Sequence, residues 1–339
     1  MARSILIVRL GALGDLVHAL PAAAALRAAW PDASIDWLVD GRYAAFLELV
    51  PVINRRIILG GRAGGPIVTV VRALRRARYD LAIDFQGLLK SAVLARLAGA
   101  RRTAGFIPGQ LREPLAGAFY TQRVRGDESG HVVRKNLSLV EALGAGAHEV
   151  MSPLRATPST VPGEVRQRLK IGAGGRFAII NPGAGWPNKQ WPADRFGAIA
   201  ARLLERHGVP TIVTWGPEDL PLAGAVAAAS KGAAEVAPAT SVADLVELTR
   251  AATIFVAGDT GPMQLAAAVG TPVVGVFGPT NPMRNGPWNA ADRWVSRFDD
   301  CECHHKRRCR REVPCINTIT VDEVADAVDS RLGRGGPRG

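Results

Sequence analysis

The sequence predicts an α/β protein of two doubly wound domains. Short apolar runs alternate with helical stretches through the first half of the chain. The alternation stops at a Pro- and Gly-rich segment and then starts again. The 339 residues also exceed what one core commonly serves, at roughly 100–200 residues per domain.

Each element has its own warrant. Residues 5–8 form an uninterrupted apolar run, the signature of a strand buried on both faces. A glycine turn, Gly11-Ala12-Leu13-Gly14-Asp15, leads into an alanine-rich helix over 16–30, which Pro21 is expected to kink or restart. Residues 34–39, 57–59, 81–85 and 102–106 read as further strands, with helices over 68–78 and 88–97 between them. Strand, helix, strand in repetition implies a parallel sheet with right-handed crossovers. Pro153, Pro158 and Pro162, then Gly172, Gly174 and Gly175, place a linker at 151–175. The second series has strands over 177–181, 211–215, 253–257 and 273–277 and helices over 193–207, 242–251 and 261–269. An amphipathic helix over 321–332 follows, then a Gly/Arg tail, 333–339, expected to be disordered. The domains are therefore 1–160 and 161–320, facing each other across a central cleft. Ligands of open α/β sheets sit at the carboxyl ends of strands. The loops after Val8, Phe85, Ile180, Trp215, Ala257 and Phe277 are the places to search.

Composition narrows the function. Hydrophobic residues make up 47% and charged residues 21%, which argues against global disorder. The net charge is +12, and residues 1–150 hold 20 Lys/Arg against 12 Asp/Glu. That excess points to an anionic partner: nucleic acid, a phosphorylated small molecule or a membrane surface. No recognisable nucleic-acid module is present, the Lys/Arg residues are scattered, and aromatics are only 6%, so nucleic acid is the least supported of the three. The longest uncharged run, 260–283, is broken by glycines and prolines and cannot form a regular spanning helix. Arg9 interrupts the apolar start, so it reads as a strand rather than a signal peptide. Four Cys, all between 301 and 315, do not make a secreted disulfide scaffold, and the expected location is the cytoplasm.

Four loops could carry chemistry. In 9–18, the glycines let backbone approach a ligand, and the helix that follows offers free N–H groups. Asp15 is either a first-turn acid complementing the helix dipole or a general base. His18, one turn later, reads as a packed helix residue. In 181–192, Gly183, Gly185 and Lys189 suit a pyrophosphate clamp, although the lysine could equally be solvated. In 257–263, Asp259 or Thr260 can cap a helix whose free N–H groups, at Thr260 and Gly261, form an anion seat. Glu218, after Trp215-Gly216-Pro217, suits a ribose diol or is a solvated turn residue.

With these loops in view, the chain resembles glycosyltransferase family 9, the bacterial lipopolysaccharide heptosyltransferases of GT-B fold, over about residues 4–330. The resemblance lies in Ile5-Leu6-Ile7-Val8-Arg9-Leu10 through Gly14-Asp15-Leu16-Val17-His18, and in Gly258-Asp259-Thr260-Gly261 followed by 271–280. Asp84-Phe85-Gln86-Gly87-Leu88-Leu89-Lys90 and Arg112-Glu113-Pro114 resemble heptosyltransferase I. The resemblance implies an inverting transfer of heptose from ADP-L-glycero-β-D-manno-heptose to the Kdo region of lipid A. Asp15 would be the catalytic base, beside Gly14. Lys189, Glu218, Asp259, Thr260, Gly261 and Gly183 would bind the donor. Gly14, Lys90 and Arg112 would face the anionic acceptor. No cofactor or catalytic metal is required on this reading. The helix over 321–332 is expected to pack back on the N-terminal domain. The basic half would hold the enzyme peripherally on the inner-leaflet surface. Two other readings are a family member using another nucleotide sugar or an outer-core acceptor, and a basic nucleic-acid-binding protein. Gln264 departs from a His found in some heptosyltransferases.

The Cys cluster is a second departure. Cys301, Cys303, Cys309 and Cys315, with His304 and His305 among them, could form a structural Zn site. The spacing is not that of paired C-x₂-C units, and a reduced basic loop is the alternative. Lys306, Arg307, Arg308, Arg310 and Arg311 could touch phosphate-rich lipid.

Overall fold

The computed structural model describes residues 3–61, 64–146, 150–304 and 306–333. The chain divides into two compact units, Met1–Ala156 and Thr157–Gly339.

The first unit holds β1 (Ser4–Val8), α1 (Leu13–Ala29), β2 (Ser34–Asp40), β3 (Arg55–Leu59), α2 (Ile67–Ala77), β4 (Leu81–Asp84), α3 (Leu89–Leu97), β5 (Arg102–Phe106), β6 (Gln122–Val124) and α4 (Val132–Val140). Its sheet runs β3-β2-β1-β4-β5-β6, every pair parallel. This order reverses between β1 and β4, the switch point where the loops after two neighbouring strands diverge and leave a crevice. Ile5, Leu6, Ile7 and Val8 of β1 are wholly buried, because helices cover both faces of a parallel sheet. Leu6, Val8 and Leu38 meet Val70 and Leu74 of α2 and Leu94 of α3 on one side. Helices α1 and α4 pack together. Pro21 does not divide α1, which runs unbroken through it and buries it.

The second unit holds α5 (Val161–Arg168), β7 (Ala178–Asn181), α6 (Ala193–His207), β8 (Thr211–Val213), α7 (Leu220–Ala229), β9 (Ala234–Val236), α8 (Val242–Ala251), β10 (Ile254–Gly258), α9 (Gly261–Ala268), β11 (Val273–Phe277), α10 (Pro282–Asn285), β12 (Arg293–Ser296) and α11 (Val321–Leu332). The sheet is β12-β11-β10-β7-β8-β9, again all parallel. Counted from its own first strand, β7, this is the order of the first sheet, with its switch point between β7 and β10.

Two differences from the sequence reading have physical causes. The 151–175 segment is not all linker, since α5 forms within it and buries Val161 and Val165 against the second core. Strands β6, β9 and β12 lie at sheet edges and were not legible as apolar runs. Within its own unit, helix α11 packs against α6, β11 and β12. Val324, Ala325 and Val328 are its apolar stripe, and they join the core around Trp191, Phe196 and Leu203. Arg206 and His207 of α6 reach Asp329 at 2.6 and 2.7 Å. The expected disordered tail, from 334 onward, lies outside the described residues. Among the described residues no helix is long and apolar enough to cross a membrane.

Candidate functional site

In the first unit the chemistry gathers at the carboxyl ends of β1 and β4. Gly11 has no room for a side chain, because a Cβ there would lie 2.4 Å from the Tyr43 ring. The turn can therefore pass close to its surroundings and deliver Gly14 and Asp15 into the first turn of α1. The Asp15 carboxylate accepts from the Ala12 N–H at 3.1 Å and pairs with the Arg9 guanidinium at 2.7 Å. Its side chain stays 44% exposed, so it can meet a substrate. Burial pushes its pKa up, but the charges of Arg9 and His18 and the Arg9 and Ala12 hydrogen bonds outweigh that and hold it below the usual carboxylate value. Arg9 is itself fixed, donating to the Phe85 carbonyl at 2.6 Å. The sequence motif contained Arg9 but gave no sign that it would turn back onto Asp15.

The β4 loop is set by a buried acid. Asp84 accepts from Tyr120 Oη at 2.7 Å, Ser91 Oγ at 2.8 Å and the Gln86 N–H at 2.8 Å. Burial drives its pKa up, against these hydrogen bonds. Gln86 Oε1 then accepts from the Leu10 N–H at 2.8 Å, joining the two loops of the switch point. Lys90, in the first turn of α3, is exposed and close enough to Asp40 to lower its carboxyl, where Arg42 is the larger influence. Arg112 is exposed in the segment after β5.

The second unit repeats the plan at the ends of β7 and β10. Lys189 closes a short turn, Pro187–Lys189, and its Nζ donates to Asp259 Oδ2 at 2.6 Å. The two side chains are only 14% and 13% exposed, and the ammonium lies 4.4 Å from the centre of the Trp186 ring. Thr260 caps α9, its hydroxyl accepting from the Met263 N–H, and Gly261 is the first helical residue. Gly183 is forced: a Cβ there would lie 2.3 Å from Asp219 Oδ2. Asp219 was missed in the sequence, and its carboxylate also borders Gly216. Glu218, one residue earlier, is exposed. Gln264 is buried and donates to the Asn285 carbonyl at 2.6 Å, so here it ties α9 to α10. The structure thus brings Lys189, Asp259, Thr260 and Gly261 together in one unit, and Gly14 with Asp15 in the other.

Each unit thus has a switch-point site of its own, with an acid in the first and a lysine beside a helix N-terminus in the second. The comparisons with known proteins then decide the family. The family model described as glycosyltransferase family 9 (heptosyltransferase) matches residues 67–315. The chain belongs to glycosyltransferase family 9. This family-9 enzyme is 29% identical to lipopolysaccharide heptosyltransferase 1 of Pseudomonas aeruginosa, over 97% of this chain and 98% of that one. It is 25% identical to lipopolysaccharide heptosyltransferase 3 of Escherichia coli, over 96% of each. An E. coli heptosyltransferase solved with ADP-2-deoxy-2-fluoro heptose superposes with a TM-score of 0.74 at 24% identity, covering 96% of this chain and 99% of that one. The fold is GT-B, and the chain is a glycosyltransferase.

The cysteines gather, but not as a zinc site. Cys301, Cys303 and Cys315 are buried together and Cys309 packs against them. Cys303 Sγ and Cys309 Sγ stand 3.2 Å apart. Two thiolates on one tetrahedral zinc stand about 3.8 Å apart, given Zn–S bonds of about 2.3 Å. Among the described residues no group of three or more His, Cys, Asp or Glu side chains is placed to hold a metal ion. The expected structural Zn does not fit this arrangement, and His305 lies outside the described residues.

Proposed function

We propose that this enzyme is an inverting lipopolysaccharide heptosyltransferase that takes heptose from ADP-L-glycero-β-D-manno-heptose and places it on the Kdo region of lipid A. The observation that carries the reading is the ionised, half-exposed Asp15 at the first switch point, with a lysine and a free helix N-terminus at the second. Asp15 Oδ takes the proton of the acceptor hydroxyl as that oxygen bonds to the anomeric carbon. The bond from that carbon to the ADP oxygen breaks on the opposite face, so a β-linked donor gives an α-linked product. Lys189 and the N–H groups of Thr260 and Gly261 take up the negative charge released on ADP. Asp259 holds Lys189 in place before the donor arrives. Glu218 serves the ribose diol, and Lys90 and Arg112 meet the acceptor's anionic groups. The relatives support the donor and the core pathway. The relative named heptosyltransferase 3 supports a second reading, with an acceptor further out in the core.

Purified enzyme, ADP-heptose and a panel of Kdo-lipid A and heptosylated acceptors test both. Asp15→Ala should lower kcat by about 10²–10⁴-fold, the usual contribution of a general base. Wild-type turnover in that variant would remove Asp15 from the chemistry. Transfer only to heptosylated acceptors would select the second reading.

A further inference from the structure

We propose that Cys303 and Cys309 form a reversible disulfide-forming site, and that closing it weakens donor binding through the turn that carries Lys189. The second part rests on the donor role given to Lys189 above.

The pair is placed to react. The two sulfurs lie 3.2 Å apart, in hydrogen-bond contact, about 1.2 Å beyond a bonded S–S distance of about 2.0 Å. Cys303 Sγ also accepts from the Arg310 N–H at 3.4 Å. Cys303 is buried and Cys309 is the more exposed of the two, so Cys309 is the sulfur that a small disulfide reaches first. The Cys309 sulfur, as thiolate, attacks one sulfur of a low-molecular-weight disulfide and expels a thiolate, while Cys303 keeps its proton. Cys303 then attacks the Cys309 sulfur of the mixed disulfide. Its proton leaves with one released thiol, and the other departs as thiolate. Two electrons pass from the protein sulfurs to the small disulfide, so the exchange balances.

The loop between the two cysteines touches the donor site. Lys306, within it, has its N–H bonded to the Cys303 carbonyl at 3.0 Å. The Lys306 carbonyl accepts from Asn188 Nδ2 at 2.7 Å. Asn188 is buried in the Pro187–Lys189 turn, and its neighbour Lys189 holds Asp259. Ile316, beyond the last cysteine, packs where a Cβ of Gly278 would meet both it and the Asn188 carbonyl. Drawing the two sulfurs together shifts the Lys306 carbonyl and strains the Asn188 hydrogen bond.

The full-length reduced protein is incubated with oxidised glutathione, its cross-links are mapped by peptide mass spectrometry, and ADP binding is followed by calorimetry. A 303–309 link is expected, with an ADP Kd raised about ten-fold, the size of one lost hydrogen bond. Dithiothreitol should restore it. Cys309→Ser should bind ADP normally and ignore the oxidant. No 303–309 link overturns the site, as does protein isolated with about one equivalent of zinc or iron that protects the thiols until chelated. A link that leaves the ADP Kd unchanged overturns the coupling. Reduced protein that fails to bind ADP refutes the donor reading instead, while the mapped link still decides the thiol site.

Discussion

On the proposed reading Asp15 accepts a proton during reaction, so its carboxylate must be ionised and aimed, and Arg9 governs both. Its guanidinium lies 2.7 Å from the carboxylate while its other arm is anchored on Phe85. The Asp15 pKa is lowered in the folded protein, so the carboxylate stays charged at pH values where an ordinary one begins to protonate. The acid limb of kcat/KM should therefore lie below the usual carboxylate range. Arg9→Leu removes the guanidinium and leaves burial, which raises the pKa, so the limb should move upward in pH. A pH–rate profile of the two proteins checks this, and superimposable acid limbs would refute it. Asp84 works one contact further away. Tyr120→Phe deletes one of the hydroxyl donors to this buried acid, and leaving a buried hydrogen-bonding group without its partner costs about 1–3 kcal/mol. Denaturant unfolding should show a loss of that size, and KM for the acceptor should rise more than kcat falls, because Asp84 only positions the Gln86 loop. Asp15, Lys189, Asp259 and Thr260 were legible because each sits in a short glycine-containing turn whose chemistry is local. Arg9, Asp84 and Asp219 were not, because their roles depend on distant partners. Asp84 and Tyr120 are 36 residues apart, and only the sheet makes them neighbours.

The interior strands could be read because burial on both faces demands continuous apolar residues, as in β1, β10 and β11. The edge strands β6, β9 and β12 lack that demand. Gln122-Arg123-Val124 exposes Arg123, and Arg293-Trp294-Val295-Ser296 is only partly buried with Trp294 exposed, so neither forms an apolar run. Helix α7 was missed for the opposite reason: its alanine-rich run has little amphipathic contrast. Its start matters to the proposed donor site, since Asp219 precedes it and leaves no room for a side chain at Gly183. Gly183→Ala would drive a Cβ into the Asp219 carboxylate, so the loop after β7 must shift. Donor KM should rise several-fold in Gly183→Ala and recover in the Gly183→Ala, Asp219→Ala double variant. Failure of the second change to restore it would show that Gly183 is needed for backbone conformation and not for clearance.

Two copies of one topology let the charges take different environments, and salt should separate them. Residues 1–150 carry 20 Lys/Arg against 12 Asp/Glu, and Lys90 and Arg112 are exposed. Exposed charges more than a Debye length apart, about 8 Å at physiological ionic strength, are largely screened. Near an anionic surface each Lys or Arg is worth about 1 kcal/mol until salt removes it. Lys189 and Asp259 are different, being mostly buried in contact at 2.6 Å, where mobile ions reach them poorly. On the proposed reading, the basic half holds the enzyme on an anionic inner leaflet while the second unit binds the nucleotide sugar. Association with phosphatidylglycerol vesicles, measured by sedimentation, should fall steeply between low and high salt and be weak on phosphatidylcholine. ADP affinity over the same range should change much less. Vesicle binding indifferent to salt would refute charge-held membrane attachment. An ADP affinity that fell as steeply as vesicle binding would mean that the nucleotide is held by exposed charges rather than by the mostly buried Lys189.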